Sequence, residues 1–277
     1  MKNNLNGYMF PESSFFKWFI TTVVVVTIAC VLGSVVVPFG FLLAGMPVDS
    51  LGAFIDSDDV RFLLYANLVG IAFLLPFYLA QRKYKPEPSM KLSGFEYVIY
   101  GFFFLLSACF LIDSAWSYLF DLIGILSEEM IDEVANGLFN GSIMLQLISV
   151  GIVGPVFEEL VFRGYMQDRF ASRMNKYVAI VLAAAIFGIY HGNLPQFISA
   201  TLGGILYGYL YMLTGSLWVS IIGHCANNSA IIFLENFIPE NSFTSIMLNI
   251  VLVVMLLFSI FYHFKMRKKV EVALLAP

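Results

Sequence analysis

The sequence predicts an all-α polytopic membrane protein, a bundle of about eight transmembrane helices in one domain spanning residues 1–277, and three observations carry that expectation. Of 277 residues 60% are apolar and only 12% charged, about half the charged share of a water-facing domain. Apolar stretches approaching or exceeding 18 residues recur along the whole chain, the length a helix needs to cross hydrocarbon. Basic residues collect in every second connection between those stretches. The net charge of −4 excludes a basic nucleic-acid footprint, so the expected partners are the lipid bilayer and a membrane-associated molecule, with no nucleic acid.

The apolar segments run Trp18–Leu43, Phe62–Ala80, Tyr97–Tyr118, Ile143–Val161, Tyr177–His191, Phe197–Leu213, Leu217–Leu234 and Ile246–Phe264. The first has no short charged-then-apolar pattern ending at a small-residue cleavage site, so it is expected to be a retained span. The fifth and sixth are short and are separated by Gly192–Asn193–Leu194–Pro195. Arg82, Lys83, Lys85 and Lys91 follow the second segment, Arg163, Arg169, Arg173 and Lys176 the fourth, and Lys265, Arg267, Lys268 and Lys269 the eighth. An eight-span chain puts all three clusters on one side, which the positive-inside rule makes cytoplasmic. Asp49, Asp56, Asp58, Asp59, Asp121, Glu128, Glu129, Asp132, Glu133, Glu235 and Glu240 then fall on the opposite side. The expected location is the plasma membrane, multi-pass, with both termini cytoplasmic. The acidic stretch 127–138 has helical periodicity but is expected to be a solvated loop, and Asp113, inside the third span, is expected to be satisfied structurally. Cys30, Cys109 and Cys225 all lie in apolar stretches without CxxC spacing and are expected as small buried residues.

Chemistry collects in the second half. Glu158 and Glu159 are adjacent carboxylates at a span, costly there unless paired, protonated or metal-bound. Glu159 and Arg163 are four residues apart, one helical turn, and can form an ion pair. Glu158 points about 100° away and is left for chemistry. Of three histidines, His191 ends the fifth segment and His224 sits inside the seventh, with Asn228 on the same helical face one turn later. His263 lies beside the basic tail and is expected at the interface. Water attacking a peptide carbonyl needs a base, an oxyanion partner and a proton for the leaving amine. Glu158 with His191 can polarise the water, and His224 with Asn228 can donate toward the oxyanion. Glu158, His191 and His224 could instead hold zinc, which lowers the pKa of bound water. No HExxH motif is present, so the cofactor is either zinc or none, and both routes stay open.

Depth restricts the arrangement. Counted from the cytoplasmic loops, His224 lies about 12–15 Å deep and His191 about 20 Å, whereas Glu158 sits near the cytoplasmic end if the fourth helix stops at Val161. Convergence is expected through a fourth helix that continues past Arg163, around a polar cavity reached from the cytoplasm.

At these residues the sequence resembles the CAAX-processing and bacteriocin-processing (CPBP or Abi) family of intramembrane proteases, over roughly Ile143 to Phe233. The Glu158–Glu159 pair with Arg163, Phe187 with His191, and His224 with Asn228 match its three motifs in order. The resemblance implies a catalytic core at 143–233 within a bundle of about eight helices. It also implies water activation by Glu158 and His191, oxyanion support by His224 and Asn228, and a second essential or structural carboxylate in Glu159 partnered by Arg163. Family members process prenylated CaaX proteins or are linked to bacteriocin maturation and immunity; some are called metalloproteases and some work without metal. Short loops favour a bacterial plasma-membrane member, for which a small peptide or membrane-protein tail is the better substrate. The competing readings are a non-catalytic bacteriocin-immunity or scaffold protein and a transporter, the latter disfavoured because the two halves are unrelated.

Overall fold

A computed structural model describes residues 8, 15–47, 50, 60–124, 141–238 and 242–275, so the acidic stretch 127–138 and the loop acids Asp49, Asp56, Asp58, Asp59 and Glu240 lie outside the described residues. The rest form helices throughout: α1 (Phe15–Leu43), α2 (Val60–Arg82), α3 (Gly94–Tyr97, Val98–Leu105 and Leu106–Leu122, without a break), α4 (Ile143–Ala171), α5 (Lys176–Tyr190), α6 (Leu194–Thr214), α7 (Leu217–Phe237) and α8 (Ser242–Leu275). No strand occurs among them.

Seven of these helices are long and apolar enough to cross a membrane, which establishes a polytopic all-α membrane protein. The expected eight crossings are corrected in one respect: α5 is a shorter apolar helix of 15 residues, about 22 Å long. It still carries the chain from one end of the bundle to the other, because it packs antiparallel on α6. Gly188 makes that possible, since a Cβ there would lie 2.6 Å from the Phe197 carbonyl oxygen. The turn between them is built by its sequence: Gly192 takes φ 77°, Asn193 accepts the Gln196 N–H at 2.9 Å, and Pro195 stands in the first turn of α6, where its missing N–H costs nothing. At the other end of α6, Gly215 closes the helix in the left-handed conformation, φ 65°.

The fourth helix outruns its apolar segment, which stops at Val161, and continues past Arg163 to Ala171, as the depths of the site residues required. It is the hub of the bundle, 61% buried against 11% for α8. The outer helices, α1 against α2 and α8 against α3, expose rows of Phe, Val and Leu, such as Phe19, Val23 and Val31 on one and Val254, Leu257 and Phe261 on the other. Such surface would be an aggregation hazard in water and is matched by lipid tails.

Two π-helical stretches, Ser149–Val153 and Leu160–Gln167, flank the turn bearing Glu158 and Glu159. Pro155 adds to the disruption, since it has no N–H for the Gly151 carbonyl four residues earlier. Side chains of α7 meet the carbonyls of this irregular turn: Asn228 Nδ2 donates to Val150 O at 3.0 Å, Ser229 Oγ to Gly151 O at 3.5 Å and Cys225 Sγ to Ile152 O at 3.7 Å. A broken ladder inside a membrane is tolerated only with such partners, and these three fix α7 against α4 beside the carboxylate pair.

Candidate active site

Glu159 and Arg163 stand one turn apart on α4 and form an ion pair of 2.8 Å between two side chains with no solvent exposure. The same Glu159 oxygen, Oε1, lies 2.9 Å from His224 Nδ1 on α7. The opposite ring nitrogen, Nε2, lies 3.5 Å from Glu158 Oε2. His224 therefore bridges the two carboxylates, and its ring plane is set by stacking on Tyr207 of α6, centroids 4.9 Å apart and planes 19° apart. Two acids, one guanidinium and one protonated imidazole would sum to zero, which is how charges survive in a dry interior. The guanidinium is further held over the rings of Phe187, at 4.3 Å, and Tyr207, at 5.3 Å.

A cavity of about 450 Å³ is lined by Glu158, Phe187, His191, His224 and Asn228 together with residues of α2, α3, α4, α6 and α7. Of the catalytic and supporting residues named from the sequence, these five line the cavity, while Glu159 and Arg163 stand behind its wall. Glu159 thus positions His224 and does not face the space a substrate would fill. His191 turns Nδ1 to the Phe187 carbonyl oxygen at 2.9 Å; a carbonyl only accepts, so Nδ1 carries the proton and Nε2 is left with its lone pair. One Asn228 N–H is committed to Val150 O, which leaves its second for other chemistry. Asp113 also lines the cavity and accepts from Trp116 Nε1 at 3.0 Å. His263 lies apart, edge-on to Tyr100 at 5.9 Å.

Two residues of this site escaped sequence reasoning. Tyr207 is one of 14 tyrosines, and nothing local marks it as the platform under His224. Asn227 also lines the cavity, and its buried Oδ1 has no hydrogen-bond partner among the described residues. Its place beside Asn228 in a span was the available signal, because an intramembrane amide pair is expensive without a use.

The sequence has relatives at this site. Residues 140–230 match the family described as type II CAAX prenyl endopeptidase Rce1-like. The chain is also 29% identical over 106 residues to YdiL of Bacillus subtilis (strain 168), named as a candidate membrane peptidase; the alignment covers 36% of this chain and 43% of that protein, so this chain spans less than half the length of its relative. No solved structure matches. Glu158, Glu159, Arg163, Phe187, His191, His224 and Asn228 all lie inside the matched residues 140–230, whereas the cavity residues on α2 and α3, among them Asn67 and Asp113, lie outside them.

Zinc, the metal that the sequence pattern left open, can be tested against this donor set. Among the described residues no three His, Cys, Asp or Glu side chains gather as a metal-binding group. His224, one of the three candidates, has both nitrogens turned to carboxylates. A site with Glu158 and His191 would take His224 through Nε2 and leave its Nδ1 on Glu159, the usual support of a zinc-bound histidine.

Proposed function

We propose that this chain is a plasma-membrane intramembrane endopeptidase that hydrolyses a peptide bond in a membrane-associated peptide or protein. The observation that carries the reading is the placement of His224 between Glu158, which faces the cavity, and the buried Glu159. Glu158 is the general base: it takes a proton from water as the water oxygen bonds to the scissile carbonyl carbon. His191 Nε2 accepts the second water hydrogen and aims the attack. The carbonyl oxygen becomes an oxyanion, which His224 Nε2–H and the second Asn228 N–H stabilise. When the C–N bond breaks, Glu158 returns its proton to the leaving amine, so atoms and charge balance without a further reactant. Glu159 and Arg163 hold the His224 ring and its proton in place. Apolar walls accept the flanking side chains of a hydrophobic segment, and the proposed substrate is a small peptide or a membrane-protein tail.

The test is a comparison of membrane peptidomes from cells carrying wild-type or Glu158→Gln protein at matched folded levels. Peptides that accumulate only with wild type are expected. Indistinguishable peptidomes would transfer the assignment to the non-catalytic immunity or scaffold reading.

A further inference from the structure

Among the described residues that line the cavity there are three acids, Asp113, Glu158 and Glu235, and no Lys or Arg. Elsewhere in the bundle acids meet basic groups: Asp168 pairs with Lys85 at 3.3 Å, Glu159 with Arg163 at 2.8 Å, and Glu158 lies 3.5 Å from His224. Asp113 has no such partner among the described residues. It stands inside the span Gly94–Phe120. Its hydrogen bond from Trp116 Nε1, at 3.0 Å, engages one oxygen of a carboxylate that offers about four acceptor sites. A carboxylate kept inside a span without a cation is expensive, and such groups mark the paths of substrates.

The place of Asp113 along the cavity follows from the packing of α3 on α6. The Met90 N–H, ahead of α3, reaches the Leu213 carbonyl near the end of α6 at 3.1 Å, and a Cβ at Gly203 would lie 3.6 Å from Cys109 Sγ. The two helices therefore run antiparallel. One turn from Cys109 to Asp113 matches one turn from Gly203 back to Ser199, itself a lining residue. Tyr207, on which His224 stacks, comes eight residues after Ser199, so Asp113 stands about 12 Å along the bundle from the level of His224. An extended peptide covers that distance in about three or four residues, and in fewer when a long basic side chain reaches back. Asp113 also lies outside the matched residues 140–230, in a part of the chain that the family match does not reach.

We infer that Asp113 is a specificity-determining residue, binding a cationic group that the substrate carries about two to four residues from the scissile bond. That the substrate is a peptide rests on the function proposed above. The cation supplies the counter-charge that the protein withholds from Asp113. A Lys or Arg side chain is its expected source, and a free amino terminus offers the same chemistry.

The full chain, purified into lipid nanodiscs, is given paired hydrophobic peptides with acetylated amino termini that differ only in Lys or Gln at one scanned position. Cleavage is followed by mass spectrometry, with Glu158→Gln as the blank. Wild type is expected to favour Lys over Gln by at least about tenfold in kcat/KM at one or more of the scanned positions, the scale of a charged hydrogen bond. In Asp113→Asn that ratio is expected to fall to about one, on the same scale, while Asp113→Glu keeps it and Asp113→Lys turns the preference to Glu. A merely structural role would slow both peptides together and leave the ratio as it was. Gln peptides with a free amino terminus make a third set, and a preference for those alone assigns the cation to the terminus. Equal cleavage of all three sets by wild type, an outcome that needs no variant to fold, would overturn the inference, as would an undiminished ratio in Asp113→Asn. No cleavage above the blank would overturn the peptidase reading and the inference with it, so the two failures are told apart.

Discussion

Glu158 and Glu159 are neighbours in sequence with unlike surroundings, and their substitutions should separate accordingly. Glu158 is partly open to the cavity, so Glu158→Gln is predicted to keep the folded yield and melting temperature while lowering turnover by about 10²–10⁴-fold, the range for a general base. Glu159 is the sole acid in ion-pair contact with buried Arg163 among the described residues. Glu159→Gln is predicted to cost about 3–5 kcal/mol, the loss for breaking a buried pair from one side, together with activity. Thermal melting beside product formation checks both, and equal melting temperatures would contradict the division. Asn228→Ala removes the donor on Val150 O and is predicted to destabilise by about 1–3 kcal/mol, measurable in the same melts. The Glu159–Arg163 pair was legible because the two share a helix and a turn. The Glu159–His224 pair was not, since 65 residues separate them and no spacing rule gives the rotation of one helix about another.

Helices come close here through small residues, as expected where lipid offers no hydrophobic drive to associate. A Cβ at Gly204 of α6 would lie 2.7 Å from Arg163 Nη2 and 3.1 Å from the Ala184 Cβ of α5. Gly204→Ala is therefore predicted to displace the guanidinium, cost about 1–3 kcal/mol by overpacking, and reduce turnover through His224. Turnover unchanged at full stability would show that Arg163 has slack. The continuation of α4 past Arg163 was legible only from the depths of the site residues, and the partners that hold it were not legible at all. Arg163, Gln167, Asp168 and Arg169 resemble the start of a loop, yet Gln167 is met by Gly208, Asp168 by Tyr8, Tyr211 and Lys85, and Arg169 by Thr22 at 2.6 Å. Partners supplied from distant segments kept a polar stretch helical inside the bundle, and they are invisible to periodicity. The π-helical turns around the acids were equally hidden, although Pro155 marked the place.

At the scale of the molecule, the membrane character and the order of the helices followed from composition and apolar runs, because burial in lipid demands them. Helix length followed less well, as α5 shows: at 15 residues it is shorter than a full span although it exposes Val178, Val181 and Ile189 on one face. If the alternation of ends set by these helices holds in the cell, a green fluorescent protein fused to the C-terminus fluoresces and an alkaline phosphatase there stays inactive; the reverse pair would contradict a cytoplasmic basic face. The central claim is that water, activated at Glu158, cuts a peptide bond. Its most direct test is incubation of wild-type and Glu158→Gln membranes in ¹⁸O-labelled water, followed by mass spectrometry of released peptides. The account predicts peptides found only with wild type, each carrying one ¹⁸O in its new C-terminal carboxylate; identical peptides and identical label with both proteins would contradict it.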